Sequence, residues 1–159
     1  NDLLIGADKN DRIALETIDE KHNRITIFIS YWLRMLNRGG YNEQYKNSLL
    51  YLIIGNMDKI TDVLKYAARD LLVYNKRVSD ETLKVLSDTL SIMKIYYDFF
   101  YKFDVKKVKE MYALRHKVIQ RIEKLSMTVP IKEALIMNNI RQICELVVSI
   151  TEAKLSLEL

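Results

Sequence analysis

Helices alone are what this sequence should form, and two of its properties say so. Turn-forming residues are scarce, with 4 Gly and 1 Pro in 159 residues, too little turn chemistry for an all-β fold. Apolar residues return at spacings of three, four and seven along most of the length, the period of one helix face. An apolar content of 49% beside 29% charged residues is globular rather than disordered. The length allows one domain, or two small repeats sharing one core. A net charge of +4 is mild, and no dense Lys/Arg block argues for nucleic acid. The single cysteine, Cys144, cannot form an internal disulfide, which fits the reducing cytoplasm expected as its location. No apolar run approaches the ~20 residues of a membrane span, so no membrane insertion is expected. The sequence starts at Asn rather than Met, and an upstream segment is expected to have preceded it.

Each element can be justified in turn. Asp11 is an N-cap candidate for a helix running to about Arg38, with Leu15, Ile18, Ile25, Ile29, Trp32 and Leu36 on its apolar stripe. Gly39-Gly40 should end it, because glycine takes the left-handed cap conformation without a Cβ clash. A second helix, roughly 43–75, carries Leu49, Leu52, Ile53, Met57, Ile60, Leu64 and Leu71 on one stripe. Ser79 followed by Asp80-Glu81 caps and charges the start of a third, about 80–102. Asp104 starts a fourth, about 105–126, and Pro130 sits in the first turn of a fifth, about 130–157. The short connections predict antiparallel neighbours in a bundle.

The pattern repeats. "LIIGNMDKITDVLKYAARDLL" (52–72) slides onto "LIMNNIRQICELVVSITEAKL" (135–155) at an offset of 83, with Asn56 on Asn139 and Asp62 on Glu145. Upstream, an offset of 93 puts Asp11 on Asp104, Ile18 on Met111, Ile25 on Val118 and Ile29 on Ile122. Any two amphipathic helices align passably, but two in the same order with matching polar positions argue for duplication. The offsets differ because "NRGGYNEQYKNS" (37–48) is expected as a longer loop in the first repeat. The repeats then span 1–78 and 79–159, and the first lacks most of its first helix, "NDLLIGADKN" being only its tail. An apolar groove should be left there, to be filled by a partner chain or by upstream residues.

"DKITDVL" (58–64) resembles the signature helix of the PhoU family of phosphate-uptake regulators, which reads Glu-Arg-Ile-Gly-Asp-His-Ala. "RQICELVVSITEA" (141–153) is similar through Ile143, Glu145, Ile150 and Glu152, and "ALETIDEKHNRI" (14–25) resembles the acid-x-x-Asp pattern of the preceding helix. Archaeal members look nearest. The resemblance implies an all-α tandem of two three-helix bundles with no catalytic chemistry. It implies an adaptor between a phosphate ABC transporter ATPase and a signalling protein, and in archaeal relatives fusion to a small DNA-binding domain. It further implies that acids of the second and third helices can gather iron or zinc.

Those acids are only partly present. One helical turn puts Asp58 and Asp62 on one side, and Glu20 of the neighbouring helix could join them, with Asp19 beside it. Asn23 stands where another acid is expected. In the second repeat Arg141 takes an acidic position, and Ala113 and His116 replace the partner acids. The alternative is that Asp58 and Asp62 face solvent and pair with Lys59, Lys65 or Arg69 at helical spacing.

The other candidates are weaker. Asp19-x-x-His22 and Ala113-x-x-His116 do not make the paired Glu-x-x-His of a ferritin-like di-metal site. Cys144 has no histidine near it in the pattern and reads as a small buried residue. Six aromatics fall within 96–103, more than one helix can turn inward. Tyr96, Tyr97 and Tyr101 are therefore expected at an interface, in a homodimer. The expected function is non-enzymatic regulation of phosphate uptake through helix contacts. The alternatives are a dimerisation and ligand-sensing module for an upstream DNA-binding domain, or a metal-binding helical protein.

Overall fold

The computed structural model describes residues 1–40 and 43–159, and within them every regular element is a helix. There are six: α1 (Asp2–Lys9), α2 (Arg12–Gly39), α3 (Gln44–Tyr74), α4 (Asp80–Tyr101), α5 (Val105–Leu125) and α6 (Ile131–Glu158). Three starts are built as the sequence proposes. Asp11 accepts a hydrogen bond from the Ala14 N–H at 3.1 Å, Ser79 from Thr82 at 3.3 Å, and Asp104 from Lys106 at 2.9 Å. Each satisfies a backbone donor that the first helical turn leaves without a partner. Pro130 is the cap of α6 rather than a residue of its first turn.

Two expectations about the first half need correcting. Gly40 does close α2, through its N–H to Leu36, but at φ −54 it is not left-handed. A Cβ there would collide with the Asn47 side chain and the Leu36 carbonyl, so glycine serves close approach. The left-handed caps are Asn10 (φ 53) and Asn75 (φ 50), ending α1 and α3. Nor is the extra length of the first half spent on a loop. Most of "NRGGYNEQYKNS" is helical, and α2 runs 28 residues against 21 in α5. Tyr41 and Asn42 lie outside the described residues.

The most extensive packing is between α3 and α6; α2 lies against α1 and α3, and α5 against α4 and α6. Among the described residues the backbone of α2 does not approach that of α4, α5 or α6 closely. The centre of the core is Val85, Phe99, Val118, Ile136, Met137 and Ile140, each fully buried. Burial of side chains this size stabilises by about 1.5–3 kcal/mol apiece.

Cross-helix polar pairs join α2 to α3 and α5 to α6. His22 meets Asp62 across α2 and α3 at 2.8 Å, and Arg115 meets Glu145 across α5 and α6. Arg69 donates to Asp19 at 3.0 Å, and the Tyr112 hydroxyl donates to Glu152 at 2.8 Å. Asn56 and Asn139 each reach across the α3–α6 seam, to Ser149 at 3.0 Å and to Asp70 at 2.8 Å.

One end of the molecule is fastened by Glu133, which is 3% exposed at the start of α6. Its carboxylate accepts from the Tyr74 hydroxyl (2.9 Å), the Ser79 N–H (3.2 Å), the Ser79 hydroxyl (2.7 Å) and the Thr82 hydroxyl (2.7 Å). Burial alone would push its carboxyl up. The donors from Ser79, Thr82 and Tyr74 outweigh that and hold it below the ordinary glutamate range. Beside it, Val78 donates its N–H to the Ala7 carbonyl at 3.2 Å, and Arg77 bridges Asp8 and Asp80.

Candidate interaction groove

Among the described residues, the first half of the molecule carries apolar stripes that are largely uncovered. Ile25 and Trp32 of α2 are 40% and 58% exposed, and Leu52 and Met57 of α3 are 46% and 40% exposed. Four positions of the expected apolar stripes are thus open; periodicity marks a face and not what lies upon it. Of the α2 stripe only Leu15 and Ile29 are buried.

Between these helices and the last turns of α4 runs a groove of about 480 Å³. Ile25 and Ile29 form one wall, Met57 and Thr61 the floor, and Met93, Tyr96 and Tyr97 the other wall, with Val147 and Ile150 of α6 behind. It continues into a second hollow of about 210 Å³ that ends at Asn1 and Leu3 of α1, since Ile25, Thr61, Leu64 and Met93 line both.

The aromatic cluster divides across the groove. Tyr97 and Tyr101 are 62% and 74% exposed, with ring centroids 4.9 Å apart. Tyr96, expected beside them on an interface, is instead 6% exposed. It sits in the wall, on the same side of α4 as the fully buried Phe99. Its hydroxyl is buried and has no hydrogen-bond partner, which costs about 1–3 kcal/mol if left so. Sequence spacing could assign Tyr96 to the inner face; it gave no sign of the orphan hydroxyl.

The acidic candidates are not brought to one point. Asp62 Oδ1 lies 2.8 Å from Lys65 Nζ and 2.8 Å from His22 Nε2, and the two nitrogens are 3.1 Å apart. The His22 nitrogen either donates to Asp62 or accepts from Lys65, since it has one proton or one lone pair there. The Lys65 ammonium foremost, with help from His22 and against burial, holds the Asp62 carboxyl below its usual range. Glu20 is exposed on α2. The pairing of His22 with Asp62 and of Asp19 with Arg69 puts Glu20 level with roughly residue 66, two turns beyond Asp58. Asp58 and Asp19 each keep one buried carboxylate oxygen without a partner. Eleven residues, about 16 Å of helix axis, separate Asp58 from Arg69, the residue with which Asp19 pairs. Among the described residues no three of His, Cys, Asp or Glu converge where a metal could sit. An iron or zinc ion needs such convergence, and Lys65 brings a positive charge to the best-placed ligand. The donor set as arranged does not fit a metal.

Cys144 is fully buried, with its sulfur 3.7 Å from the Thr89 hydroxyl. Burial foremost pushes its thiol up to about 11, so it is an inert packing residue in this state. No helix among the described residues is long and apolar enough to cross a membrane. What the geometry offers is an open apolar groove. No protein-family model matches the sequence, and comparison with curated proteins and with solved structures finds no match.

Proposed function

We propose that this chain is a non-enzymatic regulator of phosphate uptake, an adaptor working through helix contacts with a phosphate ABC transporter or its signalling partner in the cytoplasm. The observation that carries the adaptor role is the open apolar surface of the first half. Phe28, Tyr31, Trp32 and Met35 form an exposed stripe on α2, and Tyr97 and Tyr101 continue the apolar character across the groove. Contiguous exposure of this kind marks protein contact. The rim residues Tyr97 and Tyr101 are the proposed homodimer contact.

The PhoU-like part of the proposal is a tandem of two three-helix bundles, residues 1–78 and 79–159. Its support is the recurrence of structure at the two sequence offsets. Caps recur at Asp11 and Asp104, and interhelical pairs at His22–Asp62 and Arg115–Glu145. A second set recurs at Asp19–Arg69 and Tyr112–Glu152. The phosphate role itself comes from the resemblance of 58–64 and 141–153 to the PhoU signature helix.

Native co-purification from the source cells tests this, with partners and bound metal read on one sample. A transporter ATPase or its kinase partner in the eluate is the expected result. An eluate with DNA and no transporter would place the chain in a transcription regulator instead. Stoichiometric iron or zinc, lost in Asp58→Ala/Asp62→Ala, would overturn the metal-free adaptor.

A further inference from the structure

The surface that corresponds to the groove in the other half is occupied. Val118 and Ile140, the counterparts of Ile25 and Met57 at the two offsets, are completely buried. What covers that side is the first half of α4. Asp88 pairs with Arg121 of α5, and Thr89 touches Cys144 of α6. The counterparts of Arg121 and Cys144 are Phe28, 65% exposed, and Thr61, in the groove floor. By the same offset α1 corresponds to the last two turns of α4 and not to residues 80–93. Among the described residues, then, nothing fills the bed on α2 and α3 that corresponds to the one under residues 80–93.

We propose that the groove is the seat of an amphipathic α-helix of the same chemistry as α4 residues 80–93, lying parallel to α3 with its C-terminal end against Asn1. Three observations converge on that occupant. The bed on α2 and α3 corresponds, at Ile25, Met57 and Thr61, to the positions Val118, Ile140 and Cys144 that a helix of this kind already covers, with Phe28 in place of Arg121. The hollow is continuous with the start of α1, whose Leu3 and Ala7 are buried in the line a longer helix would follow. The Tyr96 hydroxyl in the wall lacks a partner, which a serine, threonine or carboxylate on the incoming helix would supply. This inference rests on the two-repeat proposal and not on any transporter contact, so the two can fail separately.

The test is a graft. Residues 79–93 are fused directly ahead of Asn1, in register with α1 because residue 94 corresponds to Asn1. The expected result is a melting temperature higher by about 5 °C or more. Binding of an apolar dye should fall, and a Thr61→Cys thiol (with Cys144→Ser) should become protected. A scrambled graft of the same composition should do none of this. Unchanged melting, dye binding and labelling would overturn the proposal. Should the fused chain fail to fold, the same segment is added as a free peptide at millimolar concentration. Labelling of Thr61→Cys should then slow roughly tenfold, as saturation of a weak site requires, and no slowing overturns the proposal. It is equally overturned if the unmodified chain already protects that thiol by dimerising, or if a long-chain fatty acid protects it and the graft does not.

Discussion

Two stretches of this molecule share one sequence pattern and meet different fates. On α5 and α6, Val118 and Ile140 are 0% exposed; on α2 and α3, Ile25 and Met57 at the matching positions are each 40% exposed. Nothing in the local pattern separates them, because both sit on apolar stripes at helical spacing. The difference is the helix that crosses one pair and not the other. Amphipathicity states that a face wants cover; only the tertiary arrangement states whether it has any.

The largest effect should come from a thiol comparison. With Cys144→Ser in the background, Thr61→Cys should react with a thiol reagent at least about 100-fold faster than the native Cys144, whose exposure requires α4 to open. Equal rates would mean that the first half is covered in solution, and the contrast would disappear. Next come deletions in the sealed half. Ile140→Ala should cost about 3 kcal/mol in urea unfolding and Met57→Ala under about 1, because only the first leaves a cavity. A Met57→Ala cost equal to that of Ile140→Ala would again point to a hidden cover.

Glu133 acts on both halves together. Glu133→Ala should cost about 3 kcal/mol, since it strands the Tyr74, Ser79 and Thr82 donors. The pH dependence follows from its depressed carboxyl. The folded state binds that proton less readily than the unfolded chain, so the stabilisation is complete above the unfolded glutamate value near 4.5 and is lost as pH falls through the lower folded value. Acid titration of urea stability should show this loss in the native chain and a smaller one in Glu133→Ala. The smallest effect belongs to the matched ion pairs. Asp62→Asn and Glu145→Gln should each change stability by less than about 1 kcal/mol, because both pairs are partly open to water. A larger cost at one of them would mark the half in which the pair is more than a surface contact.

The helices and three of the caps were legible because capping and periodicity are local. Asp11, Ser79 and Asp104 announce helix starts from their own side chains and the few residues that follow. The end of α2 was legible and its cause was not, since the need for Gly40 comes from the Leu36 carbonyl at this turn together with Asn47 on the facing helix. Glu133 escaped notice because its worth depends on donors 51–59 residues away, brought together only by the fold. Asp58 and Asp62 pointed to a metal because one turn separates them. Lys65 lies on that same face, and its distance from Asp62 decides the chemistry. Tyr97 and Tyr101 were recognisable as surplus aromatics by number alone, and Tyr96 shares its face with Ile92 and Phe99 at helical spacing, whereas the orphan state of its hydroxyl depends on what the fold brings near it.

The Glu133 clamp also has a mechanical meaning. It gathers the end of α3, the start of α4 and the start of α6 at one point, and Arg77 ties the end of α1 beside them. Thr61 and the groove lie about 13 residues from Tyr74 along α3, roughly 20 Å from that knot. A body knotted at one end and open at the other behaves as tweezers: a load between the open tips is felt as torque at the pivot. For this molecule the pivot centres on one carboxylate whose donors keep it ionised, so whatever wedges the tips apart should draw those donors away and let it take up a proton more readily.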